Sequence, residues 1–101
     1  MEYGRIRHMA IFTLKYPEDS KEAMKFLQDG ESILRAIPVV ENFEVLRQVS
    51  SKTTFDYGFS MEFKNQDDYD TYNNHPSHQS FVENRWKKEV TDFQEIDFLK
   101  S

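Results

Sequence analysis

The chain has 101 residues, of which 38% are hydrophobic and 31% charged, and its formal net charge is -5. This length supports a single domain, residues 1–101, around one modest core, and no Lys/Arg block longer than Lys87-Lys88 offers the concentrated positive surface that nucleic acid needs. No run nears the ~20 apolar residues that span a bilayer, the opening MEYGRIRH lacks the apolar centre of a signal peptide, and the absence of cysteine removes disulfides and thiolate chemistry.

A cytoplasmic protein with no membrane and no nucleic-acid partner is the expectation. The aromatic share is high, with nine Phe, five Tyr and one Trp. Side chains this large let few residues fill a core or line an apolar cavity.

Arg5 to Tyr16, RIRHMAIFTLKY, reads as a strand. Ile6, His8, Ala10, Phe12 and Leu14 share one face, and Arg7, Met9, Ile11, Thr13 and Lys15 share the other. Pro17 stops it, because proline donates nothing to a ladder. Asp19 or Ser20 can cap the helix that follows. Within it Ala23, Phe26, Leu27, Ile33, Leu34 and Ile37 recur at helical spacing and bury one stripe. Gly30 is a mild cost inside that helix, and Pro38 ends it.

Asn42 to Ser51 alternates again, with Phe43, Val45 and Val49 on one face, and SSKT makes a polar turn. Phe55 to Lys64 is the cleanest strand, with Phe55, Tyr57, Phe59, Met61 and Phe63 facing one way. Asn65 to Asn74 fits a short helix capped near Asn65 or Asp67. From Pro76 to about Val90, Phe81, Val82, Trp86 and Val90 form a second apolar stripe, and TDFQEIDFL closes the chain as a strand.

The order β-α-β-β-α-β, with its second helical region in two pieces, is the ferredoxin-like α+β plan: an antiparallel four-stranded sheet with helices on one face. Met9, Ile11, Leu46, Ile96 and Phe98 then give the other face apolar side chains. An uncovered apolar sheet face is a partner surface. With no second domain in the sequence to cover it, another copy of the chain is the expected cover, and the expected state is a homodimer.

The stretch YNNHPSH, Tyr72 to His78, places two of the three histidines around one proline. Pro76 is a natural first helical residue, since its missing N–H would have had no partner there. It holds His75 extended, and the His75 side chain can serve as a cap. His78 then lies in the first helical turn, where free N–H groups and the helix dipole disfavour positive charge. A neutral imidazole there has a lone pair with which to take a proton. Tyr72 can bring its hydroxyl to the same place, and His8, on the strand face assigned to the helix side, can meet both. The same residues equally suit a satisfied His–Tyr pair inside an aromatic core. A metal held by His75 and His78 is a third reading, disfavoured because the proline takes His75 off the helix.

The segments RHMAIFTLK, AIPVVENFEV and FDYGFSMEFKNQDDYDTYNNHPSHQSFV, with the closing IDF, resemble the stress-responsive A/B barrel family within the dimeric α/β barrel superfamily. The likeness runs from Arg7 to about Leu99, and its specific part is a strand ending in Phe, an acidic turn, a Tyr and His-Pro-x-His. Val39 stands where a glycine is common in the family, which affects a turn and not the chemistry. The resemblance implies a homodimer in which two sheets pack into an α/β barrel. In the polyketide cyclase branch it implies His78 as base, Tyr72 as its assistant and His8 nearby, with no cofactor and no metal. Another branch is known for stable assembly and stress tolerance with no demonstrated reaction, and related dimeric barrels carry out cofactor-free oxygenation.

The expected site is therefore an apolar pocket for a small aromatic or polyketide-like ligand, walled by Phe12, Phe59, Phe63, Phe81 and Trp86 beside Tyr72, His78 and His8. Cyclase- or lyase-like proton abstraction from a carbon acid is the concrete chemistry. A structural, stress-associated dimer without turnover is the competing expectation.

Overall fold

The computed structural model describes residues 4–100. The first three residues of the stretch read for a signal peptide, and the last residue of the expected single domain, lie outside them. The elements run β1 (Ile6–Leu14), α1 (Lys21–Leu34), β2 (Glu41–Arg47), β3 (Tyr57–Phe63), α2 (Gln66–Asn74), α3 (Pro76–Phe81), a π-helical turn (Val82–Trp86), α4 (Lys87–Glu89) and β4 (Val90–Leu99). The sheet order is β2-β3-β1-β4, and every neighbouring pair is antiparallel. This is the expected ferredoxin-like βαββαβ fold.

Alternation decides which side chains meet. Ile6, Ala10, Phe12 and Leu14 of β1 and Tyr57, Phe59, Met61 and Phe63 of β3 are buried. Ser20 caps α1, its Oγ accepting from the Ala23 N–H at 3.2 Å. The helix then lays Ala23, Phe26, Leu27, Gly30 and Leu34 against the sheet. Gly30 is more than a mild cost here: a Cβ at that position would lie 2.6 Å from Cζ of Phe59. The helix sits this close to the sheet because residue 30 has no side chain.

Several expected boundaries move: β1 ends at Leu14 and not Tyr16, α1 ends at Leu34 with Ile37 buried beyond it, and the hairpin strands shorten at their loop. β2 ends at Arg47, and Val49 is 89% exposed instead of completing the apolar face. The cause is Gln48, whose side-chain amide donates to the Phe55 carbonyl at 2.7 Å and whose oxygen accepts from the Ser50 N–H. Those bonds turn the chain early and leave Val49 in the hairpin loop. β3 correspondingly begins at Tyr57, two residues after the expected start at Phe55.

The helices cover β2, β3 and β1 but leave β4 largely exposed along its length. On the opposite face, Met9 pairs with Ile96 and Arg7 with Phe98 across β1 and β4. Leu46 lies across from Gly58, which in turn opposes Ile11. Phe98 is 51% exposed. This face therefore carries an apolar centre that nothing among the described residues covers. At its rim Arg5 bridges Glu41 at 2.5 Å and Glu62 at 2.8 Å.

Candidate functional site

Where α2, α3 and the π-helical turn stand over β1 and the exposed edge of β4, they leave a groove of about 550 Å³. That volume suits a drug-sized or smaller ligand. Phe59, Met61, Leu34, Phe81, Val82, Trp86 and Phe93 supply apolar wall, and His8, Tyr72, Asn73, His78 and Glu95 supply its polar end. The π-helical turn widens the helix locally, and its Val82 and Trp86 both face the groove.

His75 ends α2 and caps α3: its Nδ1 accepts from the Ser77 N–H at 3.1 Å, with Pro76 as the first helical residue. Its ring is thus spent on the helix start, as the sequence suggested. Among the described residues no three His, Cys, Asp or Glu side chains stand together as metal ligands.

His78 sits three residues further on, one ring away from Tyr72 with centroids 4.4 Å apart. Its Nδ1 lies 3.2 Å from the Asn73 carbonyl. A carbonyl can only accept, so that nitrogen carries the proton and Nε2 keeps the lone pair. Burial pushes the His78 imidazole below its ordinary range, and the Asn73 carbonyl only partly opposes it. Desolvation, more than the helix N-terminus, is what favours the neutral form here.

Tyr72 is 2% exposed, and burial holds its phenol far above the ordinary range, so it remains a proton-bearing donor. No hydrogen bond engages its hydroxyl among the described residues, and no sealed-in side-chain oxygen or nitrogen there is left unpaired. The hydroxyl therefore opens onto the groove.

His8 is also buried, at 4% exposure. Its Nδ1–H donates to Oδ1 of Asp97 at 2.6 Å, and the Tyr69 hydroxyl donates to Oδ2 of Asp97 at 2.9 Å. Burial and then Asp97 push the Tyr69 phenol upward, which keeps that hydroxyl a donor. The His8 and Tyr72 ring centroids are 6.2 Å apart. Tyr72 thus stands between two imidazoles.

Of the expected residues, the structure brings His8, Tyr72, His78, Phe59, Phe81 and Trp86 to one groove. Phe12 and Phe63 are not among its walls. Both are 0% exposed and lie behind it, Phe12 packed on Phe59 at 5.0 Å and Phe63 on Tyr72 at 5.1 Å. Trp86, readable as core, is half-buried and meets Phe12 on one side and Phe93 on the other.

The sequence reading missed Tyr69, Glu95 and Asp97. Signals existed for each: Tyr69 precedes Tyr72 by three residues on one helix, and Phe93, Glu95 and Asp97 alternate with Ile96 and Phe98. Only the register of β4, which sets Asp97 opposite His8, turns that alternation into a site.

A family model described as the stress responsive A/B barrel domain matches residues 6–99. No curated protein matches the sequence. Among solved structures, a Dabb family protein with a ferredoxin-like fold from Mesorhizobium loti is 49% identical, with TM-score 0.95, covering 97% of this chain and 98% of that one. A hydroxynitrile lyase from Passiflora edulis superposes with TM-score 0.82 at 10% identity, covering 98% and 95%. A dimeric protein of unknown function with a ferredoxin-like fold from Bacteroides fragilis superposes with TM-score 0.74 at 21% identity, covering 96% and 97%.

Proposed function

This chain belongs to the stress responsive A/B barrel domain family, and from that premise we propose that it is a homodimer whose groove binds a small aromatic or polyketide-like carbonyl compound. One observation carries the reading. Two neighbouring rings, Tyr72 and His78, turn a free hydroxyl and a free imidazole nitrogen into a cavity that is otherwise mostly apolar.

The chemistry this supports is cofactor-free proton abstraction. Nε2 of His78 takes a proton from carbon beside the ligand carbonyl. The C–H electron pair becomes the enolate double bond, and the carbonyl π pair moves to oxygen. The Tyr72 hydroxyl donates to that oxygen as negative charge gathers there. The imidazole starts neutral at pH 7, so no prior deprotonation is needed. A fold neighbour named as a lyase is consistent with such chemistry on this scaffold.

The dimer is formed, on this reading, by the uncovered sheet face. Met9, Ile11, Leu46, Ile96 and Phe98 make its apolar centre, and a second copy buries it with the same residues. The fold neighbour from Bacteroides fragilis is dimeric. A cytoplasmic location completes the proposal and suits a sequence without cysteine.

A thermal-shift screen against phenolic acids and short polyketide mimics tests the binding claim. A ligand that stabilises the wild type and fails to stabilise His78→Ala supports it. Silence across the panel, with His78→Ala merely melting earlier, makes the histidine structural and the protein a dimer without turnover. Light scattering at micromolar concentration tests the assembly, and a monomer there contradicts it.

A further inference from the structure

We propose that His8 is the residue that sets ligand specificity in this groove, its Nε2 accepting a hydrogen bond from a hydroxyl on the ligand, with Asp97 and Tyr69 as the positioning residues that hold that nitrogen free. The inference rests on the binding reading of the groove and names the ligand class more narrowly: a carbonyl compound that also carries a phenolic or enolic O–H.

The geometry starts at Asp97. Oδ1 accepts from the Nδ1–H of His8 at 2.6 Å, and the Tyr69 hydroxyl reaches both carboxylate oxygens, Oδ1 at 3.0 Å and Oδ2 at 2.9 Å, as well as lying 3.0 Å from Nδ1. A carboxylate has no proton to give, so when the ring holds a single proton that proton is on Nδ1. The lone pair is then on Nε2. Tyr69 stacks on Phe63 at 5.0 Å, which fixes the phenol that in turn fixes the carboxylate. The pattern is the one in which a buried carboxylate selects the tautomer of a working histidine.

Nε2 itself has no hydrogen-bond partner among the described residues, and since no sealed-in nitrogen there is left unpaired, it faces the groove. The nearest charged atom is Oε1 of Glu95 at 3.8 Å, beyond hydrogen-bond reach. A buried acceptor of this kind rewards a ligand donor and penalises a ligand without one. The polar end of the groove therefore reads as acceptor, donor, acceptor: His8 Nε2, Tyr72 hydroxyl, His78 Nε2. A ligand carbonyl answers Tyr72, its acidic C–H answers His78, and a hydroxyl answers His8.

The test crosses a ligand change with a protein change. 3-Hydroxyacetophenone and 3-methoxyacetophenone differ in whether that oxygen can donate, and both keep the carbonyl. In the wild type, methylation should weaken binding roughly tenfold, the size of one lost hydrogen bond. In Asp97→Ala the carboxylate is gone, the Tyr69 hydroxyl, 3.0 Å from His8 Nδ1, donates to that nitrogen, and the ring proton moves to Nε2. That nitrogen becomes a donor, which an ether oxygen accepts as well as a hydroxyl, so the preference should vanish. A merely steric penalty for the methyl group would persist in the variant.

Long-range proton–nitrogen NMR of the histidine rings provides the second arm: His8 should be protonated on Nδ1 in the wild type and on Nε2 in Asp97→Ala. A wild-type proton on Nε2, or a methoxy penalty equal in both proteins, overturns the inference. If the hydroxy probe binds and His78→Ala abolishes it while methylation makes no difference, only the role of His8 fails. If neither probe binds the wild type, the binding reading of the groove fails with it.

Discussion

Phe12 and Tyr72 lie on the same side of the sheet and are both almost fully buried, at 0% and 2% exposure, yet their surroundings differ. Phe12 is enclosed by rings on several sides, with Trp86, Phe59 and Phe26 at 4.9, 5.0 and 5.7 Å. Tyr72 has rings behind it, Phe63 at 5.1 Å and His78 at 4.4 Å, and an open groove before its hydroxyl. One region spends its aromatic side chains on closing space, the other on bounding it. The difference follows from β4, which the helices do not cover and which therefore leaves one edge of the core ajar.

If that contrast is right, substitutions in the two regions should separate stability from binding. Phe12→Ala should cost about 3–5 kcal/mol in urea unfolding, the usual range for a large ring lost from a packed interior. Gly30→Ala should cost about 1–3 kcal/mol, because the new methyl meets the Phe59 ring at 2.6 Å and neither the sheet nor the helix can give way freely. A loss below ~0.5 kcal/mol would mean that α1 is not seated as tightly as described. Tyr69→Phe should cost about 1 kcal/mol, less than a fully buried hydrogen bond to a charged group, because the Asp97 side chain is 45% exposed.

The smallest expected changes sit at the groove. Burial lowers the His78 value in the folded state, so the unfolded chain binds more protons as pH falls below ~6.5. Stability should then decline from pH 7 downward through that interval, and His78→Gln should remove this part of the slope. An unchanged slope would show that the imidazole is not desolvated. Tyr72→Phe should leave stability within about 0.5 kcal/mol, since its hydroxyl has no partner to lose among the described residues. It should nonetheless weaken ligand binding. A marked loss of stability would indicate that the hydroxyl is bonded inside the protein after all.

How much of this could be read from the sequence depends on whether the cue was local. Alternation in β1 and β3, the stripe of α1 and the start of α3 at Pro76 are local patterns, and each gave the right element and face. The Ser20 cap and the His75 cap were legible for the same reason. Val49 misled because alternation continues through it, while the Gln48 side chain bonds to residues up to seven positions away and ends the strand. Phe12 and Phe63 were expected on the groove because they share a face with His8 and Phe59. Sharing a face does not decide depth, and depth is set by where the helices stop. The Asp97–His8 bond spans 89 positions in sequence and exists only through strand register.

The most direct test of the central claim, that the groove holds a working base at His78, is deuterium wash-in at the central carbon of pentane-2,4-dione, followed by proton NMR in D2O. The wild type should exchange that position faster than buffer, and His78→Ala should be slower by roughly a hundredfold or more while unfolding at a similar midpoint. Wild-type exchange at the buffer rate, or undiminished exchange in His78→Ala, would contradict it.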